Sequence, residues 1–120
     1  MVPTGTTSTH IASAFGKVGY MLDFGGDPSG RVRHWLVTGT SFEANWRMLT
    51  ANGNPDLRKR TSIDGVPVRI FWVTGYQNQN QGHVVFLWRQ RGVSHLVSVH
   101  GLDNESIARG IAEGLVAAIG

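Results

Sequence analysis

Between Gly82 and Ile119 the apolar residues change their spacing from that of strands to that of a helix. Residues His83 to Gln90 and Val93 to His100 are two β-rich runs flanking Gln90-Arg91-Gly92, and they read as a hairpin. Val84, Phe86 and Trp88 fall on one face of the first run, Val85 and Leu87 on the other, so both faces of this hairpin ask for cover. Further on, Ile107, Ile111, Leu115 and Ile119 recur every four residues and line up with Ala108, Ala112 and Val116, the stripe of an amphipathic helix. Asp103 or Asn104 is expected to cap it, and Arg109 and Glu113 to form an outward i, i+4 pair. Gly110 and Gly114 each cost about 1 kcal/mol against Ala in a helix, and surface neutrality is the simpler account of them.

The same reading extends upstream. Val18 to Phe24 and Arg31 to Thr38 predict two strands joined by the turn signal Gly25 to Gly30. Thr40-Ser41-Phe42-Glu43 matches a capping box with the Thr40 hydroxyl at its start, and Phe42, Trp46 and Leu49 then share a helical face. A short helix is expected over 41–51, stopped at Asn52-Gly53 by a left-handed residue; a strand through Trp46 to Leu49 is the competing reading. Asn54 to Arg60 is polar and basic and reads as a loop. Thr61 to Ile63 and Val66 to Thr74 form a hairpin about Asp64-Gly65, a pair suited to the two positive-φ positions of a type I′ turn. Val66, Val68, Ile70 and Trp72 share a face of its long strand, with Pro67 tolerated at the start. Gln77 to Gly82 is a polar connecting loop. Residues 1–12 read as a flexible lead and 13–120 as a single domain. Its class is α+β: an antiparallel sheet of about six strands built from hairpins, packed on a C-terminal helix and one short helix. The expected core is Val68, Ile70, Phe86, Val97, Val99, Ile107, Ile111 and Leu115.

Composition narrows the function classes. With 41% hydrophobic and 16% charged residues, the 120-residue chain is no disordered segment, and it is long enough to fold around a core without a metal staple. It has no cysteine, which removes disulfides, thiol catalysis and cysteine-based zinc sites. No apolar run reaches the roughly 18 residues of a membrane span. Residues 1–16 lack a charged start followed by an apolar stretch, so the expectation is either a cytosolic protein or a soluble domain freed of an upstream segment. A net charge of +3 does not by itself imply a polyanionic partner.

Candidate chemistry is sparse. His83, His100 and Asp103 are the best set for a metal or a small hydrolytic site, but no HxH or HExxH spacing supports it. Their geometry depends on the hairpin turn. A two-residue Arg91-Gly92 loop sets His83 opposite His100, whereas a type I turn with a bulge at Gly92 sets His83 opposite Val99. The bulged form is expected, because the two-residue loop would hold Arg91 at positive φ. Ser98 and His100 share a strand face, but Ser98 does not sit on a strained elbow and reads as an ordinary sheet serine. The Gly25–Gly30 cluster lacks the ending of a phosphate-binding loop. Arg58, Lys59 and Arg60 form the one basic run, to which Arg31, Arg33, Arg69, Arg89 and Arg91 would add if their faces align. With Trp72 and Trp88 they make a candidate binding surface, and single-stranded nucleic acid is one partner such a surface could stack.

Ile63-Asp64-Gly65-Val66-Pro67-Val68, Gly82-His83-Val84-Val85-Phe86-Leu87-Trp88 and Val97-Ser98-Val99-His100-Gly101 with the closing helix resemble small soluble domains of unknown function. Such domains terminate membrane-anchored or secreted bacterial proteins, including some associated with anti-sigma factors and lipoproteins. The resemblance covers the second half of the chain and carries no catalytic residues. It implies a non-catalytic, extracytoplasmic binding or sensory module. No cofactor is expected. The expected partner is another protein or a second copy, meeting the sheet around Trp72 or Trp88. The alternatives are the small hydrolase or metal-dependent enzyme at His83, His100 and Asp103 and the nucleic-acid binder at Arg58, Lys59 and Arg60.

Overall fold

Backbone pairing, more than local propensity, decides where the strands run. The computed structural model describes residues 20–24, 35–51, 53–74 and 82–120. The lead at 1–12, the turn at 25–30, the starts of the first two strands, Asn52 and the polar tract at 77–81 lie outside the described residues. The strands are β1 (Tyr20–Phe24), β2 (Trp35–Thr40), β3 (Asn54–Ile63), β4 (Val66–Thr74), β5 (His83–Gln90) and β6 (Val93–His100). Helix α1 (Phe42–Ala51) follows β2, and α2 (Glu105–Ile119) closes the chain after a short turn at Leu102–Asn104.

The sheet is antiparallel throughout, in the order β1-β2-β6-β5-β4-β3. The strands β2 to β6 form the body that the helices cover, and β1 pairs on the outside of β2. On one face α2 lays Ile107, Ile111, Leu115 and Ile119 into a core with Trp35, Val68, Ile70, Phe86, Val97 and Val99. On the other, Leu49 and Trp46 of α1 meet Phe71, Val73, Val85, Leu87 and Leu96. The two apolar faces of β5 are thus both covered from within the chain, and every expected core residue is buried. This is an α+β fold. Helix α1 is a crossover: it carries the chain from β2 to β3, four strand spacings away. Ten helical residues span about 15 Å, most of the roughly 19 Å that four spacings require.

Several local expectations are corrected. Residues 54–60 form no loop; they belong to β3, paired with β4 from Asn54↔Thr74 to Ile63↔Val66. Seven of the ten residues of β3 are exposed, so it carries no apolar alternation, and its strand character comes from the pairing. It is an edge strand guarded by Pro55, by the charges at 58–60 and by an irregularity between Leu57 and Lys59, features that oppose edge-to-edge association. At the start of α1 the cap is Ser41, not Thr40, which ends β2: the Ser41 hydroxyl accepts from the Ala44 N–H at 3.1 Å. At its end Gly53 is not in the left-handed helical conformation; its φ is 149°, and a Cβ there would stand 2.4 Å from the Thr74 carbonyl oxygen, so close approach of β4 requires glycine.

The last hairpin closes with the two-residue loop, in the register Gln90↔Val93 through His83↔His100. Arg91 has φ 53° and Gly92 φ 74°. The positive φ at Arg91 costs about 1–2 kcal/mol, and a distant contact offsets it. Its guanidinium donates from Nε to the Ile119 carbonyl at 3.1 Å and from Nη2 to the Gly120 carbonyl at 3.3 Å. Gln90 Nε2 donates to the Val116 carbonyl at 3.2 Å. The Arg91 cation thus meets the open Ile119 and Gly120 carbonyls at the end of α2, and Gln90 adds a second donor to the Val116 carbonyl, which already accepts from the Gly120 N–H. At its other end neither Asp103 nor Asn104 supplies a side-chain cap; Asn104 Nδ2 turns back to the His100 carbonyl at 2.9 Å. Arg109 pairs with Glu105 at 4.0 Å, the favourable helix order, rather than with Glu113. Gly110 is buried and Gly114 half-buried, so the first is not at the surface.

Candidate functional site

The basic run at 58–60 does not act as a unit, because the irregularity in β3 splits it between faces. Arg58 bonds Asp56 at 3.1 Å and lies over the Trp72 ring, 4.2 Å from its centroid. Lys59, opposite Ile70, reaches Glu105 at 2.7 Å on the α2 side. Arg60 alone turns to the α1 side, directly opposite Arg69. Of the expected aromatic surface, Trp88 is only 3% exposed and belongs to the core beneath α2, and Trp72 is half-buried below Arg58. A partner meeting the sheet at Trp88 would have to displace α2.

Register brings a different set together. Arg60 on β3 faces Arg69 on β4, which faces Leu87 on β5, and Arg89 lies two residues beyond Leu87 on the same face. These arginines, with Leu87, Ser94 and Phe42, line a groove of about 420 Å³ beside the first turn of α1. Arg60 and Arg89 are exposed and Arg69 is half-buried. Among the described residues none of the three is in an ion pair; the acidic partners go to Arg58, Lys59 and Arg109. Arg69 instead lies 5.5 Å from the Phe42 ring centroid and 5.8 Å from that of Phe71. Phe42 is 46% exposed at the groove wall. Its ring stacks on Trp46 at 5.8 Å, and Trp46 meets Phe71 edge-on at 5.7 Å, a short aromatic series that fixes the wall from behind.

The placement of α1 above this groove rests on a buried polar contact. Asn45 is fully buried and faces the sheet. Its amide donates to the Ser94 carbonyl at 3.0 Å and to Ser94 Oγ at 3.2 Å, and its carbonyl accepts from the Thr38 hydroxyl.

The histidines divide. His83 and His100 are direct cross-strand partners with their rings edge-to-face, 5.2 Å between centroids, so the expected separation onto different faces is corrected by the two-residue turn. Asp103 is exposed beyond them. Among the described residues no three His, Asp or Glu side chains are grouped to hold a metal. Among the described residues no helix is long and apolar enough to cross a membrane. His95 is fully buried, stacked on Trp88 at 5.6 Å, with Nε2 3.1 Å from the Gln90 carbonyl oxygen, to which it donates.

Burial lowers the His95 pKa below the ordinary 6.5, and the bond to Gln90 opposes that shift only in part. The unfolded chain therefore binds the extra proton first as pH falls. Stability attributable to His95 is complete above about pH 6.5 and is lost as pH drops toward the lower folded value, with a slope of at most about 1.4 kcal/mol per pH unit. Denaturant midpoints measured from pH 7 to 5 should fall more steeply for the native protein than for His95→Gln. Superimposable profiles would show that His95 does not titrate in this way.

Compared with known proteins, the chain matches no family model and no curated sequence.

Proposed function

We propose that the domain is a non-catalytic binding module whose recognition surface is the arginine groove beside the first turn of α1. The observation that carries this reading is the convergence of Arg60, Arg69 and Arg89 from adjacent strands, without an acidic partner among the described residues, on an open groove. Like charges directly opposite each other in a sheet are destabilising. A cluster that lowers stability is characteristic of a surface kept for a ligand. The mixture of arginines with Phe42 and Leu87 suits an anion that carries an apolar part. An extracytoplasmic setting for this module is supported by the resemblance of its second half to domains of that kind, and by that resemblance alone.

The test is made without ligand. The double variant Arg60→Gln/Arg89→Gln keeps side-chain length and removes two of the charges. It should equal or exceed the native protein in stability, by up to about 1 kcal/mol, with the gain shrinking as salt is added. A double variant that unfolds at clearly lower denaturant would make these arginines structural, and the reading would fail.

A further inference from the structure

Resting on the reading of the groove as a ligand site, the geometry points to a phosphate monoester carried on a flat ring as the ligand class. For the head, three guanidinium groups converge with no acidic partner among the described residues. A phosphate monoester near neutral pH carries about −1.5 to −2 charge on three acceptor oxygens, a carboxylate only one charge on two. The guanidinium fork bonds such oxygens in pairs, and several forks need several oxygens to satisfy. Arg69 is the pre-positioned member, held between the rings of Phe42 and Phe71, whereas Arg60 and Arg89 are free to close from either side.

For the body, the partly exposed ring of Phe42 matters. Phe42 and Leu57 are large apolar residues left exposed, and Phe42 stands at the groove. Trp46 stacks on this ring with 18° between the planes, and the Arg69 guanidinium also lies over it, so Phe42 is a fixed wall rather than a swinging side chain. A ring packed against its exposed part would lie next to the Arg69 guanidinium. The volume, about 420 Å³, suits one small molecule or one modified side chain and not a run of nucleotides.

Calorimetric titration of the whole chain at low salt tests this with probes that differ in one part each. Phenyl phosphate is expected to bind at least about tenfold more tightly than phenylacetate, which has the ring with a carboxylate, and than inorganic phosphate, which lacks the ring. Arg60→Gln/Arg89→Gln should weaken phenyl phosphate by about tenfold or more. Phe42→Ala should weaken phenyl phosphate more than inorganic phosphate, which loses only the support that Phe42 gives to Arg69. Two further titrants separate the sources of such a group: adenosine monophosphate for a free metabolite and a phosphotyrosine peptide for a protein. Either one binding as tightly as phenyl phosphate supports the class and names the source; neither doing so overturns it. Equal affinity for phenylacetate would overturn the phosphate head and leave an anion site. Equal affinity for inorganic phosphate would overturn the ring. If none of the probes binds, the ligand class is wrong, while the groove itself is judged by the ligand-free comparison of the double variant.

Discussion

Ile111→Ala is expected to destabilise the domain by about 2–5 kcal/mol, the range for large-to-small changes in a rigid core. Ile111 is fully buried at the middle of α2, in the core that α2 shares with β2, β4, β5 and β6. Alanine is a better helix former than isoleucine, so any loss must come from packing and the cavity left behind, not from the helix itself. Neighbouring positions on the stripe, Ala108 and Ala112, are already small and cannot fill the space. Equilibrium denaturation should show the midpoint falling with the slope retained, the sign of lost stability rather than a changed unfolded state. An unchanged midpoint would mean that α2 is not seated on the sheet.

The second large effect is expected at Asn45. Asn45→Ala removes the acceptor of the Thr38 hydroxyl and the donor to both Ser94 oxygens, and leaves the Ser94 carbonyl buried without that donor. The expected loss is about 2–4 kcal/mol, made up of the missing bonds and the buried polar groups that lose these partners. Asn45→Asp has nearly the same shape, yet it replaces the donating amide by an oxygen facing the Ser94 carbonyl. Its loss should be at least as large at neutral pH and should shrink on acidification, because a protonated carboxyl can donate where the ionised one cannot. A pH-independent Asn45→Asp, or an Asn45→Ala within about 0.5 kcal/mol of the native protein, would remove this contact as the anchor of α1.

What the sequence made legible follows a physical line. Elements that bury one face announce themselves through period: the Ile107–Ile119 stripe, the two apolar faces of Val84 to Trp88 and the Asp64-Gly65 turn all matched the structure. Elements shaped by distant partners did not. β3 buries almost nothing, so its residues look like a loop until β4 pairs with them. The positive φ of Arg91 is unfavourable when judged locally, and its compensation lies at the far end of α2. Helix α1 was legible from Trp46 and Leu49, but Asn45, which anchors it to the sheet, carries no apolar signal. At the site, Arg60 was in the expected binding surface, and Arg69 and Arg89 were recognisable as strand arginines. Which of them share a face depended on register and on a one-residue irregularity between Leu57 and Lys59. Trp88 was misplaced for the same reason that it was noticed: a large aromatic on a strand serves a core as readily as a surface.

The crossover made by α1 has a kinetic consequence. β3, β4, β5, β6 and α2 follow one another in the chain, and the strands also follow one another across the sheet, so each pairing among them closes a short stretch. β2 must instead find β6 across the whole of that meander, the pairing with the highest closure entropy. On this ground the meander with α2 is expected to form first, with β2 and α1 docking late. The groove straddles that seam. Its arginines ride on the early unit, and Phe42 arrives with the late one. A ligand touching both sides would therefore act as a clasp, holding the late unit in place and slowing its departure in proportion to its occupancy.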